Sequence, residues 1–203
     1  MTRLAAEQLA CERGGRDVFA DVSFQLHGGE SLLLTGPNGS GKTTLMRALC
    51  GLSEITQGKL ELRGFPGDLP IPQRSHYVGH QEAIKVAFTV TENLQFWASF
   101  LGGGNVALAL EAFGLARLGP YSAGLLSSGQ RRRLALSRLL LVKRPIWLLD
   151  EPTVGLDAAS QAVLGDLLTA HLADGGMVIV SSHVDLPLTP SLQLDMAEHA
   201  VLP

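Results

Sequence analysis

The chain has 203 residues, 46% of them hydrophobic and 17% charged, with a formal net charge of −3 and a pI near 6.0. That length suits one large domain, or one domain with a small subdomain. The composition excludes a disordered chain, and the weakly acidic balance excludes a broad nucleic-acid-binding surface. The two cysteines, Cys11 and Cys50, have neither metal-ligand nor C-x-x-C spacing and read as buried thiols in a reducing compartment. The N-terminus lacks the apolar core of a signal peptide. No stretch approaches the ~18–20 uncharged apolar residues of a membrane helix. The expectation is a protein without direct membrane insertion, reaching any membrane through a partner.

In chain order, Leu4 to Cys11 and Val18 to Leu26 read as strands joined at Gly14-Gly15. In the second, Val22, Phe24 and Leu26 alternate with Ser23 and Gln25, the pattern of one buried face. Ser31 to Leu34 is a short buried strand, and a helix begins at Thr44. Gly58 to Leu62 is a further strand, Pro66 to Pro72 a loop, and Ser75 to Gly79 a short strand. Thr89-Val90-Thr91-Glu92 has capping-box spacing and opens a helix carrying Leu94, Phe96, Trp97, Phe100 and Leu101. Gly102-Gly103-Gly104 ends it, and Val106 to Phe113 forms a second helix. Residues 82–127 are thus a helical insert within a single domain spanning 1–203. Beyond it come a helix from Ser128 to Val142, a strand from Ile146 to Leu149, a helix from Ala158 to Leu172 and a strand from Met177 to Ser181.

The most specific motif is Gly36-Pro37-Asn38-Gly39-Ser40-Gly41-Lys42-Thr43, which fits G-x-x-x-x-G-K-[ST] between a strand and a helix. Glycines let main-chain N–H groups converge on phosphate oxygens, and the helix N-terminus at Thr43 and Thr44 adds partial positive charge. Lys42 adds a full charge, and the Thr43 hydroxyl is placed to ligate Mg²⁺. Ile146 to Asp150 is an apolar strand ending in carboxylates at Asp150 and Glu151. Strand C-termini of a parallel sheet face the ligand crevice, so Asp150 is a candidate Mg²⁺ holder and Glu151 a candidate general base.

Leu126-Ser127-Ser128-Gly129-Gln130 resembles L-S-G-G-Q, the signature of ATP-binding cassette (ABC) ATPases, with Ser128 in place of the usual glycine. Ser127 caps a helix whose N–H groups can meet a γ-phosphate. The resemblance implies a P-loop cassette: an α/β fold with a mixed core sheet, an N-terminal antiparallel β subdomain and an inserted helical subdomain. It further implies that two copies sandwich two ATP molecules, Ser127, Ser128, Gly129 and Gln130 meeting the nucleotide of the other copy. Gln81 resembles the glutamine that contacts Mg²⁺ and water in this family, and Gly155-Leu156-Asp157 the loop that crosses the dimer interface. His183 resembles the switch histidine at the γ-phosphate. Arg13 falls where the family places an adenine-stacking aromatic. A guanidinium can stack on a π-system, and a solvated arginine beside a turn is the equal alternative.

Wording around the shared motifs resembles the haem-exporter ATP-binding subunits of cytochrome c maturation. It comprises Gly79-His80-Gln81, Ile84-Lys85, Glu92 to Trp97, Ser128 to Arg133, and His171 with Gly175 to Ile179. That family is also short after the switch histidine. The resemblance implies an ATPase on the cytoplasmic face of a bacterial inner membrane, docked on permease subunits through the insert and the Gln81 region. Hydrolysis there drives release of a haem-loaded periplasmic chaperone. The cassette of another small-molecule ABC transporter is the alternative. A DNA-maintenance role is disfavoured because no heptads separate phosphate loop and signature, and a catalytically dead module because Glu151 and His183 are intact. Arg131-Arg132-Arg133 reads as a mixed solvent and interdomain face, and Trp97 and Phe100 as core. His80 has no assigned role.

Overall fold

Two sheets run through residues 2–183 and 188–201, the part of the chain described by this computed structural model. Strands β1 (Arg3–Arg13), β2 (Arg16–His27) and β4 (Gln57–Arg63) form an antiparallel sheet in the order β2-β1-β4. Strands β3 (Ser31–Thr35), β5 (Ser75–Val78), β6 (Ile146–Asp150), β7 (Met177–Ser181) and β8 (Leu192–Asp195) form a parallel sheet in the order β5-β6-β7-β3-β8. The core sheet, expected to be mixed, is parallel among the described residues, and the antiparallel strands form the separate sheet that was expected at the N-terminal side. Helices α1 (Lys42–Leu49), α2 (Val90–Leu101), α3 (Val106–Ala112), α4 (Ser128–Ser137) and α5 (Ala158–Ala173) complete the fold.

The inner parallel strands β3, β6 and β7 are mainly apolar because both of their faces are covered. Ile146, Leu148, Met177 and Ile179 point into a core shared with α1 and with Leu4, Leu9, Phe19 and Leu26 of the antiparallel sheet. The alternate residues Trp147, Leu149, Val178 and Val180 point into a second core with Leu94, Leu110, Leu136, Leu164 and Leu168 of the helices. Each such side chain, withdrawn from water, contributes about 1.5–3 kcal/mol. The sheet is thus clamped from both sides, which holds its strand ends rigidly.

Most elements fall within a residue or two of their expected ranges. The capping box on α2 forms, with Glu92 N–H donating to Thr89 Oγ1 (3.1 Å) and Thr89 N–H to Glu92 Oε2 (2.7 Å). The helix from Ser128 is shorter than expected: α4 gives way to a 3₁₀ turn at Arg138–Leu140. There Ser137 Oγ donates to Leu134 O and Arg138 Nε to Ala135 O, so side chains compete for the carbonyls that would continue the helix. Strand β8 was not anticipated. It is a short edge strand, largely exposed, whose pairing with β3 is set by residues far away in sequence. Cys11 and Cys50 are buried, as expected, whereas Phe100 is 70% exposed rather than core. No helix among the described residues is long and apolar enough to cross a membrane.

One buried group gives the fold a pH dependence. His76 of β5 is 5% exposed, and its Nε2 lies 2.7 Å from Val142 O. Burial pushes its pKa down to about 4 from an ordinary 6.5. The unfolded chain therefore binds the proton first as pH falls. Stability is complete above pH 6.5 and declines by about 3 kcal/mol toward pH 4. His171, also lowered mainly by burial, acts in the same direction. Denaturant titrations should show a shallower loss of stability between pH 7 and 5 in His76→Gln than in the wild type. Equal slopes would mean that His76 does not titrate between these states.

Candidate active site

Because β3, β5, β6 and β7 are parallel, their C-terminal ends lie along one edge of the sheet, and each delivers part of one site. Strand β3 runs into the phosphate loop. Gly36, Gly39 and Gly41 have φ of 117°, 87° and 98°, conformations that favour glycine. A side chain at Gly36 would also meet Ser40 Oγ at 2.9 Å and Asp195 Oδ1 at 3.0 Å, so the end of β8 walls the loop from outside. Lys42 is 8% exposed and reaches back across the loop, its Nζ donating to Gly36 O (2.6 Å) and Pro37 O (2.9 Å). Ser40 Oγ is buried without a hydrogen-bond partner, a polar atom available inside the loop.

Strand β6 delivers the carboxylates. Asp150 is buried, and both its oxygens accept hydroxyls: Thr43 Oγ1 donates to Oδ2 (2.7 Å) and Ser181 Oγ to Oδ1 (2.6 Å). Glu151 follows in a left-handed conformation, φ 50°, unusual for a residue other than glycine. Its N–H donates to Ser181 O (3.1 Å) and Ser181 Oγ (3.2 Å) at the end of β7. His183 N–H reaches Glu151 Oε2 at 3.4 Å, and the imidazole Nε2 lies 3.6 Å from Glu151 Oε1, which is buried without a hydrogen-bond partner. Tyr77 of β5 stays a neutral phenol, pushed up to about 12 by burial and by the Asp150 charge.

These groups meet at a cavity of about 590 Å³ lined by Arg13, Asn38, Gly39, Gly41, Lys42, Thr43, Thr44, Asp150, Glu151 and His183. A second cavity of about 1310 Å³ shares Arg13, Thr43, His80 and Glu151 with the first and includes Gln81 and Ser128. The structure therefore brings Arg13 and His183 to the phosphate loop, and sets Gln81 and Ser128 beside it. Ser127 and Gln130 form a capping box at the start of α4, at 3.2 and 2.9 Å. Gly129 abuts the Gly155 loop so closely that a Cβ would lie 2.6 Å from Gly155 O.

Several contributors were not anticipated. Ser181 anchors both carboxylate residues, and His80 lines both cavities. Arg132 was expected on a solvent and interdomain face, yet it is 4% exposed. It stands on the i, i+4, i+7 stripe with the buried Leu136 and Leu139, a signal that its face of α4 turns inward. Arg131 instead bonds Leu126 O and approaches Glu82, and Arg133 bonds Phe113 O.

A glycine-rich phosphate loop, an acidic strand end and a capped signature helix on one α/β scaffold define an ATP-binding cassette. The ABC transporter sequence profile matches residues 19–154, and the chain belongs to that family; it is an ATPase. It is 48% identical over 186 residues to the cytochrome c biogenesis ATP-binding export protein CcmA of Nitrobacter winogradskyi, covering 91% of this chain and 93% of that one. Identity to the protein of the same name from Mesorhizobium japonicum is 49%, with 91% and 93% covered. For that of Brucella abortus it is 43%, with 98% of each chain covered. An ABC transporter ATP-binding protein of Pyrococcus furiosus has the same fold, with a TM-score of 0.82 at 24% identity, over 98% of this chain and 100% of that one.

Proposed function

We propose that this chain is the ATP-hydrolysing subunit of a membrane ABC complex that couples hydrolysis to haem export, or release of a haem-loaded chaperone, in cytochrome c biogenesis. The observation that carries the ATPase chemistry is the convergence of Lys42, Thr43, Asp150, Glu151 and His183 on one cavity. The biological setting rests on the extent and level of identity to the cytochrome c biogenesis export proteins.

In this reading Lys42 and the loop N–H groups of Gly36 to Thr44 bind the β- and γ-phosphates. Thr43 and Asp150, hard oxygen donors 2.7 Å apart, fit Mg²⁺. Two protein oxygens suit an ion that takes its remaining ligands from water and from the nucleotide with which it arrives. Bound Mg²⁺ would neutralise phosphate charge. Glu151 accepts a proton from the attacking water, His183 orients water and γ-phosphate, and Gln81 relays the state of the helical insert. Attack is in line, without a covalent enzyme intermediate. Ser127 to Gln130 serve the nucleotide of a second copy, and Arg13, which lines both cavities, stacks on adenine.

The insert, residues 82–127, docks the membrane partner. Apolar side chains at its surface support this: Phe96, Trp97 and Phe100 form an edge-to-face series, and Lys85 covers Phe88 and Phe96. The protein thus sits peripherally on the cytoplasmic face of the inner membrane. Disruption of the gene should abolish haem attachment to c-type cytochromes, with recovery on complementation by the wild-type chain. Normal holocytochrome levels would overturn the haem-export reading, leave the ATPase intact, and favour another small-molecule transporter.

A further inference from the structure

We propose that Arg132 is a positioning residue for hydrolysis, fixing the main chain that carries Glu151 and tying it to the Gly79-His80-Gln81 loop. This rests on the reading of Glu151 as the base. Arg132 Nη2 donates to Asp150 O (2.7 Å) and Glu151 O (2.8 Å), Nε to Pro152 O (3.3 Å), and Nη1 to Gly79 O (2.8 Å). All four acceptors lie at or beyond the ends of β5 and β6, where the sheet ladder supplies no further donors.

The placement matters because Glu151 adopts a conformation costing about 1–3 kcal/mol, which persists only where its surroundings hold it. Ser181 grips the N–H of Glu151 and Arg132 grips its carbonyl, so the two peptides flanking the carboxylate are held from opposite sides. A planar guanidinium suits this role, because one rigid fork reaches two chain segments, whereas an ammonium is a single point. Burial lowers the guanidinium pKa, and the carboxylates of Glu82, Asp150 and Glu151 oppose that shift. Arg132 makes none of these bonds to Gly36–Thr43, so nucleotide binding and hydrolysis should separate.

The test uses the full-length chain expressed with its membrane partners. Arg132→Lys keeps the charge and the stem but not the fork. It should lower kcat about 10–100-fold, the scale of a misplaced reacting group. Affinity for ATP measured without Mg²⁺ should stay at the wild-type value. Added to Glu151→Gln, it should change the residual turnover little, because both act on one group. Arg132→Met, which removes every donor, should resemble Arg132→Lys; if it does not fold, Arg132→Lys decides alone. A kcat near wild type overturns the proposal. So does a fall in ATP affinity and thermal midpoint with turnover per folded molecule unchanged, or an undiminished effect in the Glu151→Gln background. Failure of Glu151→Gln itself to impair turnover would instead refute the base assignment.

Discussion

Glu151→Gln is expected to lower ATP turnover on the order of 10²–10⁴-fold, the usual contribution of a positioned general base, while ATP binding persists. The replacement is isosteric, and the contacts that fix its backbone do not involve the carboxylate: its N–H bonds Ser181 and its carbonyl bonds Arg132. They survive the change. What would be lost is the proposed acceptor of a proton, and the buried Oε1, which has no hydrogen-bond partner and lies 3.6 Å from His183 Nε2, is the atom suited to that role. With hydrolysis blocked, ATP-bound dimers should accumulate. Phosphate-release assays and size-exclusion chromatography with Mg-ATP check the two halves separately. Turnover near wild type would remove Glu151 from the base role, and loss of ATP binding would make it part of the binding loop instead.

Asp150→Asn should be nearly as severe, for a different reason. The carboxylate is buried and joins Thr43 to Ser181 through two short hydrogen bonds. Asparagine retains the shape, and hydroxyls can either donate or accept, so the fold should survive. The charge that would anchor Mg²⁺ is removed. Since metal assistance at a phosphoryl group is worth several kcal/mol, turnover should fall about 10²-fold or more. The Mg²⁺ concentration for half-maximal activity should rise, and nucleotide binding without Mg²⁺ should remain. An unchanged Mg²⁺ requirement would exclude Asp150 from the metal site, and loss of Mg²⁺-free binding would point to a collapsed phosphate loop.

Both predictions concern residues already visible in the amino-acid sequence. The phosphate loop, the acidic strand end and the signature are local patterns. Gly36 to Thr43 must be glycine-rich to turn N–H groups inward, and Ile146 to Leu149 must be apolar to lie in a sheet covered on both faces. Caps are local as well, which is why Thr89, Ser127 and Asp157 each start their helix as the chain chemistry demands. Strand β8 eluded that logic because its four residues derive their order from β3. Phe100 did so because helical periodicity marks an apolar face without saying what covers it.

The sequence by itself determined the class of fold, the order of its strands and helices as far as β7, and the candidate residues for phosphate and carboxylate chemistry. Each depends on neighbours within a few positions along the chain. Only the tertiary structure decided that Ser181 joins Asp150 to the backbone of Glu151, that Asp195 walls the phosphate loop, and that Arg132 leaves solvent to hold two strand ends. Those contacts span from about 20 to about 160 positions of sequence and arise from packing of distant segments; helical periodicity marks the inward face that carries Arg132, but no local rule names the partners any of these groups meet.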